Sequence, residues 1–147
     1  MERTTLQMLN EINRTIIQWR GVYSLWSGRN HISYNEMLVL YTIRETGFCT
    51  QKQICDNYLL PRQTINHVIG TMRQEGLLQL SREHSRGREK AFVLTEKGSQ
   101  ALQPVLDRLN RAEEQAVEQL GREKLHHLTE LMQEYAHTLR LNMTGED

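Results

Sequence analysis

Proline is scarce in this sequence, with only Pro61 and Pro104. Few positions therefore lack a backbone N–H, and long helices are permitted almost everywhere. Cysteine is as rare: Cys49 and Cys55 stand alone, which excludes a disulfide scaffold, and no C-x-x-C pair points to zinc. No apolar run reaches 18 residues, so no segment is expected to span a membrane. The polar, amphipathic opening MERTTLQMLNEINR has no signal-peptide core, and a cytoplasmic location is expected. P-loop, nucleophile-elbow and H-E-x-x-H patterns are missing, so an enzyme is not expected, nor is a cofactor. An excess of either charge is missing too, since 18 basic residues balance 18 acidic ones. That balance hides an uneven distribution. Residues 1–32 carry 4 basic and 2 acidic side chains, residues 33–98 carry 9 and 7, and residues 99–147 carry 5 and 9. The tail is acidic, and the middle concentrates its cations in SREHSRGREKAF.

What is present is helical periodicity with clear punctuation. Leu9, Ile12, Ile16, Trp19, Tyr23 and Trp26 recur at steps of 3 and 4, the pattern of a helix with one apolar seam. Gly28 and Asn30 favour a left-handed stop to that helix. Ser33 followed by Glu36 forms a capping box that opens a second, strongly apolar helix ending at Gly47. Thr50 with Gln53 opens a short third helix reaching about Asn57. Pro61 starts a fourth, whose inward residues are Ile65, Val68, Ile69 and Met72 and whose terminator is Gly76. The runs LLQLSR and KAFVLT flank a polar turn at Gly87 and predict a β-hairpin. Thr95 then caps a long fifth helix with an apolar face through Leu102, Val105 or Leu106, Leu109, Ala112, Ala116 and Leu120. A break at Gly121 precedes a sixth, with Leu125, Leu128, Met132, Tyr135 and Leu139 in its seam.

This order is a helix–turn–helix followed by a two-stranded wing, with long seam-bearing helices at both ends. The predicted class is mainly α with a small β-hairpin wing (α+β). Residues 1–32 are expected to form an N-terminal dimerisation helix, 33–98 a winged helix–turn–helix domain, and 99–147 C-terminal dimerisation helices, the alternative being that the end helices pack within one chain as a small bundle. From ISYNEMLVLYTI through TQKQICDNYLLPRQTINHVIGTMRQEGLL to REHSRGREKAFVLTEKG, the chain resembles the MarR family of bacterial transcriptional regulators. The helix-ending MRQEGLL and the wing-closing REKAFVLTEKG carry the resemblance most specifically, and the flanking helices fit as well. It implies a homodimeric DNA-binding regulator, most often a repressor released by a small ligand. It also gives Arg88, seven residues before Thr95, the role of the arginine that enters a minor groove. One position departs from the family. Relatives usually place an aspartate two residues before the wing arginine, whereas this chain has Arg86, so the brace of the wing tip is either lost or supplied by Glu83 or Glu89.

The chemistry of double-stranded DNA matches these residue types. Arg62, Gln63, Thr64, Asn66, His67, Thr71 and Arg73 decorate the candidate recognition helix; arginine suits guanine, Gln or Asn adenine, and threonine the thymine methyl. Thr50, Gln51 and Lys52 open the preceding helix, where backbone N–H groups suit a phosphate. Arg82, Arg86, Arg88 and Lys90 share one face of the wing where strand geometry holds, and would track a phosphate backbone. The family resemblance also implies a small, frequently aromatic effector between the dimer helices and the DNA-binding lobe, with Trp19, Arg20, Tyr23, Trp26, Tyr41 and Arg44 as candidates.

Other features have plainer readings. His127, Glu130, Glu134 and His137 are spaced like a helical metal stripe. Each lies two residues beyond a seam position, about 200° round the helix, so a solvated face accounts for them and no metal is expected. Buried structural thiols are the default for the cysteines, although some relatives sense oxidants through cysteine. Two other functions fit the same elements: a winged module that binds proteins rather than DNA, and a soluble carrier of small molecules. Neither the operator nor the effector is legible.

Overall fold

A computed structural model describes residues 2–146. Its elements are α1 (Thr5–Arg29), α2 (Tyr34–Thr46), β1 (Cys49–Thr50), α3 (Gln51–Tyr58), α4 (Arg62–Gln74), β2 (Leu78–Arg86), β3 (Glu89–Leu94), α5 (Glu96–Leu120) and α6 (Arg122–Thr144). They divide into two compact units, Met1–Gln103 and Pro104–Asp147. Among the described residues no helix is long and apolar enough to cross a membrane.

Local chemistry sets most boundaries. Capping boxes open α1 at Thr4 with Gln7, α2 at Ser33 with Glu36 and α3 at Thr50 with Gln53. Gly47 closes α2 in the left-handed conformation, at φ 85°. The expected stop of α1 is displaced: Gly28 is still helical and Asn30 has φ −104°, while the left-handed residue is His31 at φ 58°. The Asn30 side chain instead donates to the Trp26 carbonyl at 2.9 Å, which secures the last turn without a glycine.

In the first unit α2 is the central helix, touching α1, α3, α4 and β1. Met37, Val39, Leu40, Ile54, Ile65 and Met72 are fully buried there. Each such side chain contributes about 1.5–3 kcal/mol of burial free energy. The expected hairpin is present, but β1 adds to it, giving an antiparallel sheet in the order β1-β3-β2. Cys49 pairs with Phe92 and Thr50 with Ala91. This third strand draws the start of α3 against the base of the wing. In the second unit Val105, Leu106 and Leu109 are buried, whereas no residue of α6 is. Ala112, Ala116 and Leu120, further along the apolar face of α5, are exposed.

Candidate nucleic-acid interface

Three elements meet around one open cleft of about 370 Å³. The start of α3 contributes Gln51 and Lys52, α4 contributes Arg62, Asn66, Ile69, Gly70 and Arg73, and the wing contributes Arg88, Glu89, Lys90 and Phe92. Seven of the side chains expected to meet DNA are thus gathered from stretches far apart in sequence: Gln51, Lys52, Arg62, Asn66, Arg73, Arg88 and Lys90. Five of these are cations, against the single carboxylate of Glu89. Such a concentration of one charge attracts a polyanion from a distance.

Short-range contacts hold the cleft open. The Gln51 amide donates to the Arg62 carbonyl at 3.0 Å, tying the start of α3 to the start of α4. Arg73 lies over the Phe92 ring at 5.1 Å, so α4 leans on the wing through a cation–π contact. Lys52 pairs with Asp56 at 2.5 Å on an exposed surface, and that hydrogen bond and charge raise the Lys52 pKa above its ordinary value. Thr50 caps α3 as expected. It is buried, and its hydroxyl oxygen accepts from the Gln53 N–H at 3.0 Å.

The remaining candidates lie outside the cleft lining. Gln63 and His67 are exposed on an adjoining stripe of α4, and Thr64 and Thr71 are half-buried. The expected wing row is broken. Ser81 pairs with Ala91 and Arg86 with Glu89, so four residues of β2 oppose one of β3. A bulge of this size resets the side-chain alternation, and Arg82 no longer shares a register with Arg86. Arg88 is in the hairpin turn, after Gly87 at φ 57°, and Lys90 alone follows in β3.

The wing tip is also braced differently. Arg86 itself turns back, its Nη1 donating to the Glu83 carbonyl at 2.7 Å and to the Ser85 carbonyl at 2.9 Å. The Ser85 hydroxyl accepts from the Ala91 N–H at 3.0 Å and donates to the Ser81 carbonyl, filling the ladder inside the bulge. His84 stacks on Phe48, with ring centroids 4.4 Å apart and planes 8° from parallel. Ser81, His84, Ser85 and Phe48 therefore shape the wing. Sequence reading missed them because no periodicity marks a bulge.

The effector candidates fall on α1 and α2. Tyr23 meets Tyr41 edge-on at 6.3 Å, Arg44 lies over Tyr41 at 4.5 Å, and Arg20 lies over Tyr34 at 5.1 Å. Tyr23, Tyr41 and Arg44 are brought together, Trp19 is exposed and Trp26 half-buried. Both cysteines have raised pKa values. Burial pushes Cys49 up to about 12, and burial also outweighs the opposing pull of Arg62 at Cys55. Thiolate chemistry at neutral pH is disfavoured at both.

With this geometry in place, residues 32–98 match the family model described as "Winged helix DNA-binding domain". This segment is a winged helix domain. Beyond it, the chain is similar in fold to NMB1585, a MarR family regulator from Neisseria meningitidis. That likeness has a TM-score of 0.84 at 24% identity and covers 95% of this chain and 99% of the other. NadR, solved in complex with 4-hydroxyphenylacetate, aligns at 0.68 and 15% identity over 92% of this chain and 95% of its own. BpsR of Bordetella bronchiseptica, whose DNA binding is regulated by 6-hydroxynicotinic acid, aligns at 0.64 and 13% identity over 86% and 98%. The winged helix and its flanking helices together thus have the MarR regulator fold. No curated protein matches the sequence.

Proposed function

We propose that this protein is a homodimeric transcriptional regulator of the MarR type, a repressor that binds a pseudo-palindromic operator and leaves it when a small aromatic ligand binds. The observation that carries the proposal is the cleft, where α3, α4 and the wing bring five cations together around one carboxylate. Residues 33–98 contact the DNA. Gln63 and Asn66 read base edges, and Arg88 at the wing turn enters a minor groove.

The flanking segments, 1–32 and 99–147, hold the dimer. On α1, Leu6, Ile12, Ile16, Ile17, Val22 and Leu25 are exposed, and on α6 so are Leu128, Leu131, Met132, Leu139 and Leu141. Exposed apolar rows of this kind on a helix mark an interface, and a second copy covers them. Two relatives of like fold are associated with hydroxylated aromatic acids. The cluster of Tyr23, Tyr41 and Arg44, with Trp19, Arg20 and Trp26 also on α1, suits such a ligand: the rings stack on it and the arginines meet its anion. The effector acts by favouring a dimer shape whose half-site spacing no longer fits the DNA.

Salt dependence tests the DNA contact. Duplex affinity of the wild-type protein should fall steeply with salt, and Arg88→Ala should reduce the slope of log K against log[salt] by about one. An affinity indifferent to salt would sink the proposal. An unchanged slope in Arg88→Ala would remove Arg88 from the phosphate contacts.

A further inference from the structure

Glycine within a helix costs stability relative to alanine, because it frees the unfolded backbone and adds no side chain. Gly70 is such a residue, inside α4 (Arg62–Gln74). The usual structural reasons for glycine do not apply to it. Its φ is not positive, unlike that of Gly47, Gly76 and Gly87. A Cβ built on it meets nothing within 4 Å, unlike one on Gly98, which runs into the Leu77 backbone. The fold of this chain has room for a side chain there. Gly21 and Gly28 share that room, but they belong to α1 and do not line the cleft.

The position of Gly70 is what distinguishes it. Arg62, Asn66, Gly70 and Arg73 line the cleft at steps of 4, 4 and 3 along α4, with Ile69 beside Gly70. Three of them project polar side chains. Between Asn66 and Arg73 the lining residues are the buried Ile69 and Gly70, so no polar side chain stands there, which leaves a notch at the Gly70 Cα facing a cleft whose other lining residues include Arg88 and Lys90.

We propose that this notch is where the sugar–phosphate backbone of DNA comes nearest to the recognition helix, and that Gly70 is a positioning residue whose missing side chain admits it. The proposal rests on the DNA-binding reading and adds to it a specific point of closest approach. Asn66 and Arg73, on either side, then reach past the backbone segment that the notch seats. A methyl group at residue 70 would hold the helix away from the duplex and slacken every contact on that face.

Two variants separate this role from charge and from folding. Both are measured for thermal midpoint and for affinity to a duplex selected by the wild-type protein. Gly70→Ala should raise the midpoint by about 2–4 °C, since it removes the helix penalty. The same substitution should weaken duplex binding about tenfold, the cost of overpacking a close contact. Gly70→Lys should also weaken binding, by tenfold or more, although an added cation strengthens DNA binding wherever there is space for it. Unchanged affinity in Gly70→Ala, or tighter binding in Gly70→Lys, would overturn the proposal while leaving the DNA-binding reading intact. A lowered midpoint in Gly70→Ala would also overturn it, by showing that the fold itself needs glycine there. Failure of the wild-type protein to bind any duplex would remove the reading and the proposal together.

Discussion

Gly98→Ala should lower the stability of the folded chain by about 3 kcal/mol or more, one of the largest effects expected of any single methyl group in this protein. Gly98 is buried in the first turn of α5, and an added Cβ would overlap the Leu77 carbonyl oxygen and stand 2.9 Å from its carbon and 3.1 Å from its Cα. These are backbone atoms, and they cannot swing aside as the end of a side chain can. Leu77 is pinned on both sides: its N–H donates to the Met72 carbonyl at 2.8 Å and its own carbonyl accepts from the Thr95 N–H at 3.0 Å. Relief of the clash therefore means breaking the junction where α4, the wing and α5 meet. Thr95 adds to that junction, donating to the Gly76 carbonyl and accepting from the Gly98 N–H at 2.9 Å. Thermal unfolding at fixed protein concentration should show the midpoint falling by roughly 10 °C. An unchanged midpoint would mean that α5 does not seat on Leu77 as described. Gly70→Ala, with the opposite expected sign, is the natural comparison.

Ile16→Glu should leave each chain folded and separate the dimer. Ile16 is 45% exposed on α1, so a carboxylate there meets water in an isolated chain and disturbs no core. In the proposed dimer the same carboxylate is trapped in an apolar seam with Leu9, Ile12, Trp19 and Tyr23, where an unpaired charge costs several kcal/mol. Sedimentation should report monomers where the wild type gives dimers, with the helical circular-dichroism signal unchanged. Operator affinity should fall by about 10²-fold or more, because two linked half-site contacts become one. A variant that remains dimeric at micromolar concentration would place the interface elsewhere.

The elements were legible in the sequence wherever a few neighbouring residues determine them. Ser33 with Glu36 and Thr50 with Gln53 are capping pairs three residues apart, and both act as such. Gly47 and Gly121 likewise stand at helix ends, and the Ile65, Val68, Ile69 and Met72 stripe is the buried face of α4. What the sequence left hidden depends on partners distant along the chain. The pairing of Cys49 with Phe92 spans more than forty residues, and without a ladder partner a two-residue strand has no signature. The wing bulge escaped for a related reason. Strand periodicity assumes an unbroken register, and nothing local to Arg82–Ser85 signals that four residues face one. His84 stacked on Phe48 and Arg86 folded onto its own backbone are consequences of that bulge, not of composition. The cleft lay between these extremes. Its cations stood out in the sequence, but the joint lining by Gln51, Arg73 and Lys90 depends on β1 drawing α3 to the wing.

Selection of bound sequences from a random pool of duplex DNA examines the central claim most directly. A homodimer with one recognition helix per chain reads the same bases twice, in opposite directions, about one helical turn apart. The enriched pool should converge on an inverted repeat with its half-site centres about 10 base pairs from each other. A pool that stays random, or one that converges on a single half-site with no mirrored partner, would contradict it.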